Sequence, residues 1–312
     1  MAISGGVVSA IRELWEWLTE HRTVLWLATV AAFPQLHYIR HGPRADLLVL
    51  PGLAIVVFLV VPWAAAIAHD MWRSAFGKPT DPTLPRWRAW LSLALAVLAT
   101  GFALTVALEW AYGPLPPKKL LLQWQDDPSW FVQMVALSFG TIVLAAGVGG
   151  SRLADWGLSL GDWRWWGPLA LGVVVVLGIS IPLAAWFDPS FIQFYPRHPD
   201  ARAGDVLALV QYQVAIGVYM FCWEFFFRGF MLFGFARALG PLASILLQAF
   251  PFFLLHARKP ETELIASWFG GVIAGWFAWR SKSCWPTAIL HTVMYATMEI
   301  TAFGFQFGWP SG

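Results

Sequence analysis

The sequence predicts an all-α fold, a polytopic transmembrane bundle of eight or nine helices. Hydrophobic residues make up 58% of the 312-residue chain and charged residues only 12%, a composition far from that of soluble globular domains. Charge-free apolar runs recur along the chain, and about 20 such residues in a helix cross a hydrocarbon core about 30 Å thick. These runs do not alternate polar and apolar residues as barrel strands do. The chain is therefore predicted to be an integral, multi-pass membrane protein.

The predicted membrane helices follow one another without a low-complexity linker. The first, eighth and ninth of them are the shortest. They occupy residues 23–39, 47–68, 89–108, 128–150, 165–187, 206–223, 238–256, 264–279 and 283–298. Residues 23–204 carry their ionisable side chains in loops, whereas 205–304 carries them inside helices. We therefore divide the chain into amino-terminal transmembrane helices, 23–204, and a carboxy-terminal core, 205–304, where the chemistry is expected.

Residues 1–22 are predicted to form an amphipathic helix that lies in the membrane interface. Charged side chains interrupt this segment, so it lacks the continuous apolar core of a signal peptide. Such a helix would hold the amino terminus at the bilayer surface. Its apolar residues recur at helical spacing, and they are Ile11, Leu14, Trp15 and Leu18.

Cysteine content and net charge limit which ligands and partners are expected. Cys222 and Cys284 both lie in apolar runs, which argues against a disulfide framework and against a four-ligand zinc site. We interpret both as packing residues. The formal net charge of +2 gives no reason to expect nucleic acid. The lipid bilayer and a substrate at its surface are the expected partners.

Four ionisable residues interrupt the apolar runs of the carboxy-terminal core. Glu224 and Arg228 lie in the run that begins at residue 206, and His256 and His291 lie in the apolar segments that follow. Ionisable groups at membrane depth cost roughly 2.5–3.5 kcal/mol each, so their presence indicates function. Glu224 and Arg228 are four residues apart and are predicted to pair on one helix face. Such a pair could equally pin two helices together.

Helix lengths predict that Glu224 and His256 lie at the same depth. A helix over 206–239 is expected to turn at Gly240, and each of these two residues lies 16 positions from that glycine. At a rise of 1.5 Å per residue, both lie about 24 Å from the turn and can face each other. His291 lies only about 13 Å beyond the next turn, so it reaches the same site only if the two turns differ in depth.

Close helix packing is expected around these residues. Gly271 and Gly275 form a small-xxx-small pair in the helix between the two histidines, which allows a neighbouring backbone to approach closely. Plain helix packing explains the pair equally well. One carboxylate and two imidazoles that converge in apolar surroundings can activate water, because they supply a base, an orienting group and a donor to the oxyanion.

Three short motifs of the core resemble those of the CPBP family. They are Glu224-Phe-Phe-Phe-Arg228-Gly229, then Phe252 with His256 four residues later, and His291 in the last helix. The family's usual motifs are Glu-Glu-x-x-x-Arg, Phe-x-x-x-His and His-x-x-x-Asn, and the resemblance covers about 205–302. This family contains type II CAAX prenyl endopeptidases, bacteriocin-processing and self-immunity proteins, and other glutamic-type intramembrane proteases.

The resemblance implies a hydrolase whose water is activated by Glu and His inside a helical cavity open to one leaflet. His256 would share water activation with a glutamate, His291 would help to stabilise the oxyanion, and Arg228 would hold the glutamate-bearing helix. A glutamic-type enzyme needs no cofactor. Zinc bound by Glu224, His256 and His291 is the alternative, which the lack of a His-Glu-x-x-His motif disfavours.

Two positions depart from the family motifs. Trp223 stands where the first glutamate of the doublet, usually the general base, is expected. The base is then sought among Glu224, Glu263 and Glu299, in that order, although Glu263 could simply favour a helix amino terminus. Tyr295 replaces the motif asparagine, and its hydroxyl can either donate to an oxyanion or belong to an aromatic packing residue.

We therefore expect a multi-pass protease of the bacterial inner membrane that cleaves a peptide bond near the membrane surface. CAAX-like tails and carboxy-terminal sorting tags are both open as substrates. The alternative is a noncatalytic membrane protein that kept the fold, in an immunity or partner role. A transporter is disfavoured because the two halves show no inverted repeat. The expected catalytic residues are Glu224, His256, His291 and Glu263, with Arg228 and Tyr295 in support.

Overall fold

The computed structural model describes residues 2–41, 153–257 and 259–308, and every regular element in these ranges is helical. The all-α prediction is confirmed for this part of the chain. The predicted runs 23–39, 165–187, 206–223 and 264–279 each fall within one helix. Three further runs, 47–68, 89–108 and 128–150, lie outside the described residues.

The described helices are numbered here in chain order. Their bounds are Ala2–Glu20 (α1), Arg22–His41 (α2), Trp163–Phe187 (α3), Pro189–Phe194 (α4), Pro199–Arg202 (α5), Val206–Glu224 (α6), Leu232–Leu239 (α7), Pro241–Leu254 (α8), Glu261–Ser281 (α9) and Trp285–Phe307 (α10). A π-helical segment, Phe225–Met231, joins α6 to α7, and a 3-10 turn, Leu153–Trp156, precedes α3. Helices α6, α8, α9 and α10 carry the ionisable residues singled out from the sequence.

Two of the described helices are long and apolar enough to cross a membrane. They are Trp163–Phe187 and the continuous stretch Val206–Gly234. Helix α8 has 14 residues and is about 21 Å long, which is shorter than a hydrocarbon core of about 30 Å. The number of eight or nine crossings therefore stays a prediction.

The helix expected over 206–239 is continuous but contains the π-helical segment directly after Glu224. Within it the amide of Leu232 donates to the carbonyl of Phe227, five residues earlier. Such wide turns occur frequently at functional sites. Gly229 lies in this segment against the 3-10 turn, where an added Cβ would come within 2.9 Å of the Trp156 carbonyl oxygen. Only glycine therefore allows this contact without a shift of the backbone.

Helices α8 and α9 pack closely along the predicted pair of glycines. A Cβ at Gly275 would lie 2.5 Å from Nε2 of Gln248, and one at Gly271 would lie 3.3 Å from the Cβ of Ala249. Gln248 uses the space by donating from Nε2 to the Gly271 carbonyl at 2.9 Å. The small residues thus allow the close approach that the sequence predicted.

The turn from α9 to α10 occurs at Lys282, which ends α9 with a left-handed backbone of φ 56°. The amide of Cys284 donates to the carbonyl of Gly157 at 2.8 Å, which fastens this turn to the segment before α3. Cys284 packs with Trp156 and Phe225, while Cys222 is buried elsewhere on α6. The two cysteines are not joined in a disulfide.

Helix α1 is fastened to the end of α9 by an ion pair. Nε of Arg280 donates to the Glu13 carboxylate, and this hydrogen bond, together with the guanidinium charge, holds the pKa of Glu13 below its usual value. Leu14 and Trp17 pack against the helix core, whereas Trp15 is 70% exposed. This amphipathic arrangement suits the predicted interfacial helix, whose position in a bilayer stays a prediction.

We expect Glu13→Gln to lower the melting temperature slightly, because exposed ion pairs contribute only about 0.2–1 kcal/mol. Glu16→Gln, on the exposed face of the same helix, is the matched control. The folded-state pKa of Glu13 is lowered, so the stabilisation is complete at neutral pH and is lost as the pH falls through that value. Thermal unfolding in detergent micelles measures the effect, and equal behaviour of the two variants at neutral pH would contradict it.

Candidate active site

Glu224 lies at the centre of a buried polar cluster. Its Oε1 accepts a hydrogen bond from Nη1 of Arg228 at 2.8 Å and a second from Nδ1 of His291 at 2.7 Å. An ionised carboxylate only accepts, so the proton of the second bond belongs to the imidazole. Glu224 and Arg228 are each 1% exposed, and the ion pair has the four-residue spacing noted in the sequence. The cluster links α6 to α10.

Aromatic rings enclose the Arg228 guanidinium. Its carbon lies 4.0 Å from the centroid of the Phe252 ring and 5.8 Å from that of Phe227, within the range of cation–π attraction. Arg228 belongs to the π-helical segment and Phe252 to α8. The same side chain therefore neutralises Glu224 and contacts the helix that leads to His256.

His256 does not contact Glu224 in the way that the depth argument predicted. Helix α8 ends at Leu254, so His256 lies in the turn beyond the helix and the assumed rise of 1.5 Å per residue does not apply. The partner of Glu224 is instead His291, which the same argument had placed at a shallower level. Nδ1 of His256 is bonded to the Phe252 carbonyl at 2.8 Å. This bond makes Nδ1 the protonated nitrogen and leaves Nε2 as an acceptor.

A second polar cluster surrounds Glu263 in the first turn of α9. Nζ of Lys259 donates to its Oε1 at 2.9 Å, and the hydroxyl of Tyr195 donates to its Oε2 at 2.7 Å. Lys259 also donates to the Tyr195 hydroxyl at 2.8 Å. The Glu263 carboxylate lies close enough to His256 for the two groups to interact electrostatically. This second cluster thus includes the histidine that the first cluster lacks.

A short connection separates His256 from Glu263. The amide of Lys259 donates to the carbonyl of His256 at 2.9 Å, and the amide of Leu264 donates to Pro260 at 2.9 Å, so the connection from α8 to α9 is a run of turns. Glu263 follows His256 by seven residues. His256 and Glu263 are therefore joined by one short connection that contains turns.

Phe252 joins the two clusters. Its ring centroid lies 4.5 Å from that of His256 and 5.9 Å from that of His291. Trp223, at the position where the motif comparison expected a glutamate, lies 6.2 Å from the Phe252 ring. An aromatic side chain thus occupies the α6 position from which a family base would have projected.

Tyr295 and Glu299 lie near the second cluster on α10. The Tyr295 ring is 5.8 Å from that of Tyr195 and perpendicular to it, and its hydroxyl is 3.3 Å from that of Tyr212. Both oxygens of Glu299 accept from the amide of Arg197 at 3.1 Å. Glu299 therefore fastens the α4–α5 connection to α10, which makes it the weakest of the three candidate bases.

The sequence analysis missed Tyr195 and did not assign a role to Lys259. The four-residue spacing of Lys259 and Glu263 is a signal for an ion pair and could have found the lysine. Tyr195 precedes the motif region by 29 residues and has no local signal. Among the residues that the structure describes, no three His, Cys, Asp or Glu side chains are grouped to hold a metal ion.

The match to a family model covers the helices that carry both clusters. Residues 205–297 match the model of the type II CAAX prenyl endopeptidase Rce1-like family. Residues 205–297 are therefore similar to that family, and we call this range the Rce1-like domain. This match confirms the resemblance to the CPBP family, and it identifies the domain with a family of membrane proteases. Neither a curated protein nor a solved structure matches the chain.

The Rce1-like domain contains the whole first cluster but not all of the second. Glu224, His256, Glu263 and His291 all lie within 205–297, whereas Tyr195 precedes this range and Glu299 follows it. The second cluster is therefore completed by residues from outside the domain.

We expect Arg228→Met to lower the free energy of unfolding by about 3–5 kcal/mol, because it leaves the Glu224 charge buried without its cationic partner. The double variant Glu224→Gln/Arg228→Met removes both charges and should unfold at a higher temperature than the single variant. Thermal unfolding in detergent micelles measures both proteins. A single variant as stable as the double variant would show that the buried charge needs no partner.

Proposed function

We propose that the chain is an intramembrane endopeptidase that hydrolyses a peptide bond of a membrane-associated substrate with water activated by Glu263 and His256. The observation that carries this proposal is the hydrogen-bonded carboxylate of Glu263, seven residues after His256, within the range that matches the Rce1-like family. A carboxylate and an imidazole acceptor beside one another are the groups that a water molecule needs to lose a proton. The proposal requires no metal or other cofactor.

The contacts of Glu224 favour Glu263 as the base, although the sequence ranked Glu224 first. Oε1 of Glu224 is shared by Arg228 and His291. Moving this carboxylate toward substrate would leave the Arg228 charge buried and unpaired, which is strongly unfavourable. The side chain of Glu263 is 9% exposed against 2% for Glu224, and it lies beside His256. In the proposal Glu224 orients His291 and does not take up the proton of water.

The proposed reaction uses each group for one step. Glu263 accepts a proton from water, which His256 orients through Nε2, and the hydroxide adds to the peptide carbonyl carbon. His291 in its doubly protonated form, with Nδ1 donating to Glu224, donates from Nε2 to the resulting oxyanion, and Tyr295 supports it. The protonated Glu263 then gives its proton to the peptide nitrogen as the C–N bond breaks. A carboxylic acid and an amine are the products.

The proposed setting is the bacterial inner membrane, which the chain would cross several times. The two long apolar helices and the Rce1-like match support a membrane setting. The substrate would be a peptide or protein with a cleavage site near the membrane, such as a CAAX-like tail or a carboxy-terminal sorting tag. The Rce1-like description favours the prenylated tail as the first substrate to examine.

Trp223 favours one alternative, a noncatalytic member of the fold in an immunity or partner role. Its ring packs against Phe227 at 5.0 Å and against Phe252 at 6.2 Å, so the family position on α6 presents a hydrophobic surface. A noncatalytic protein that used this surface only for packing would keep the Glu224 cluster and would not need Glu263 to accept a proton. The two functions therefore differ in the effect of changing Glu263.

We expect Glu263→Gln and His256→Ala each to reduce kcat by about 10²–10⁴-fold, because each removes a group that moves or orients the proton of water. Glu261→Gln is the matched control, since Glu261 is an exposed carboxylate in the same first turn of α9. The probe is an internally quenched peptide with a farnesylated CAAX tail, compared with its unprenylated form, in proteoliposomes. Cleavage by the parent that persists in Glu263→Gln would reject Glu263 as the base, and a parent that cleaves neither peptide would favour the noncatalytic alternative.

A further inference from the structure

The segment between α3 and α6, residues 188–203, is attached to helices α9 and α10 at several points. Nε2 of Gln306 donates to the carbonyls of Ile192 and Tyr195 at 2.7 and 3.0 Å. The amide of Arg197 donates to Glu299, and the hydroxyl of Thr262 donates to Asp188 at 3.2 Å. We call residues 188–203 the α4–α5 segment. It is anchored to both α9 and α10, so its side chains have fixed positions against the second cluster.

Tyr195 is the side chain of this segment that reaches Glu263. It is fully buried, and its ring is held at right angles to Tyr295 and at 4.9 Å from Phe194. Its hydroxyl donates to Oε2 of Glu263 at 2.7 Å. A rigid buried ring with one polar atom on a carboxylate fixes the position of that carboxylate to within a hydrogen-bond length.

The direction of each hydrogen bond follows from the chemistry of Lys259. An ammonium group only donates, so the Tyr195 oxygen accepts from Lys259 and directs its own proton to Glu263. Burial, reinforced by the negative charge of Glu263, raises the pKa of Tyr195 well above its usual value. The phenol therefore stays protonated and remains a donor.

We infer that Tyr195 is a positioning residue that, together with Lys259, holds the Glu263 carboxylate in the orientation required of the proposed base. Tyr195 holds Oε2 and Lys259 holds Oε1, so rotation of the carboxylate about its own axis would break both bonds. This inference rests on the proposed function and adds a residue that lies outside the matched domain.

The charged groups around Tyr195 determine how removal of its hydroxyl affects Glu263. Glu263 and Lys259 face its hydroxyl directly, while Glu299 on α10 and Arg197 on the α4–α5 segment act on it at longer range. Replacing the hydroxyl with hydrogen leaves these four groups in place and removes one donor from the carboxylate. The ionised form of Glu263 then loses stabilisation relative to the protonated form.

The test compares Tyr195→Phe with Thr262→Val. Each variant removes one hydroxyl from the contact between the α4–α5 segment and α9, but only Tyr195 bonds to Glu263. The farnesylated quenched peptide gives kcat and KM as functions of pH. Labelling of Glu263 by dicyclohexylcarbodiimide, which reacts with the protonated carboxyl, is quantified by mass spectrometry over the same pH range and needs no substrate.

We expect Tyr195→Phe to move the acid limb of kcat to higher pH by about one unit, with about a tenfold loss of kcat on that limb and little change in KM. The sign follows because the base works only when ionised and Tyr195→Phe makes it easier to protonate. Labelling of Glu263 should extend to higher pH by the same amount. Thr262→Val should match the parent in both measurements.

Each outcome separates this inference from the proposed function. Unchanged kinetics and labelling in Tyr195→Phe, in a protein where Glu263→Gln abolishes cleavage, would overturn the inference and leave the function intact. Activity that persists in Glu263→Gln would instead reject the proposed base, and with it the positioning role in catalysis. Equal shifts in Tyr195→Phe and Thr262→Val would reduce Tyr195 to a general packing residue and also overturn the inference.

Discussion

The carboxylate of Glu224 lies inside a helix bundle, where it is neutralised by Arg228 and bonded to His291. A buried carboxylate without such partners would cost several kcal/mol, so the position of this one group constrains its neighbours. The helix that carries His291 must pack against α6, and Arg228 must turn inward on the π-helical segment. Arg228 in turn packs on Phe252, which brings α8 into the same arrangement. The helices of the Rce1-like domain thus meet around one ion pair.

Glu224 and Glu263 have different surroundings, and the proposed function gives them different roles. Glu224 binds Arg228 and His291 through Oε1 alone, which suits a carboxylate that joins helices and orients His291. Glu263 is held by Tyr195 and Lys259 at the start of α9, seven residues after His256. In the proposed function, the carboxylate that activates water comes from α9 instead of α6. The short connection between α8 and α9 makes this exchange geometrically simple, because histidine and glutamate are close in sequence.

The features that were predicted from the sequence depend on local spacing. The interval of four residues between Glu224 and Arg228 predicted their pairing, and Gly271 with Gly275 predicted the close contact of α8 and α9. The depth argument for His256 extended α8 through this residue, whereas the helix ends at Leu254 and His256 lies in the turn beyond it. The π-helical segment after Glu224 was also missed, since hydrophobic periodicity cannot distinguish one wide turn within a long apolar helix.

Contacts between distant parts of the chain could not be predicted from a single sequence. Tyr195 reaches Glu263 across 68 residues, and its importance depends on how the α4–α5 segment folds against α9 and α10. No residue spacing encodes that packing. The same holds for Glu299, whose carboxylate is recognisable as an anchor only once the Arg197 amide is seen against it.

The most direct test of this account is a double-mutant cycle on Glu224 and His291, read by the free energy of unfolding in detergent micelles. The variants are Glu224→Gln, His291→Phe and the two combined. The control cycle combines Glu224→Gln with Thr292→Val, at the residue that follows His291 on α10. The account predicts a coupling energy above about 1 kcal/mol for Glu224 with His291, because a charge-assisted buried hydrogen bond joins α6 to α10. Additive effects of the two substitutions, within about 0.5 kcal/mol, would contradict it.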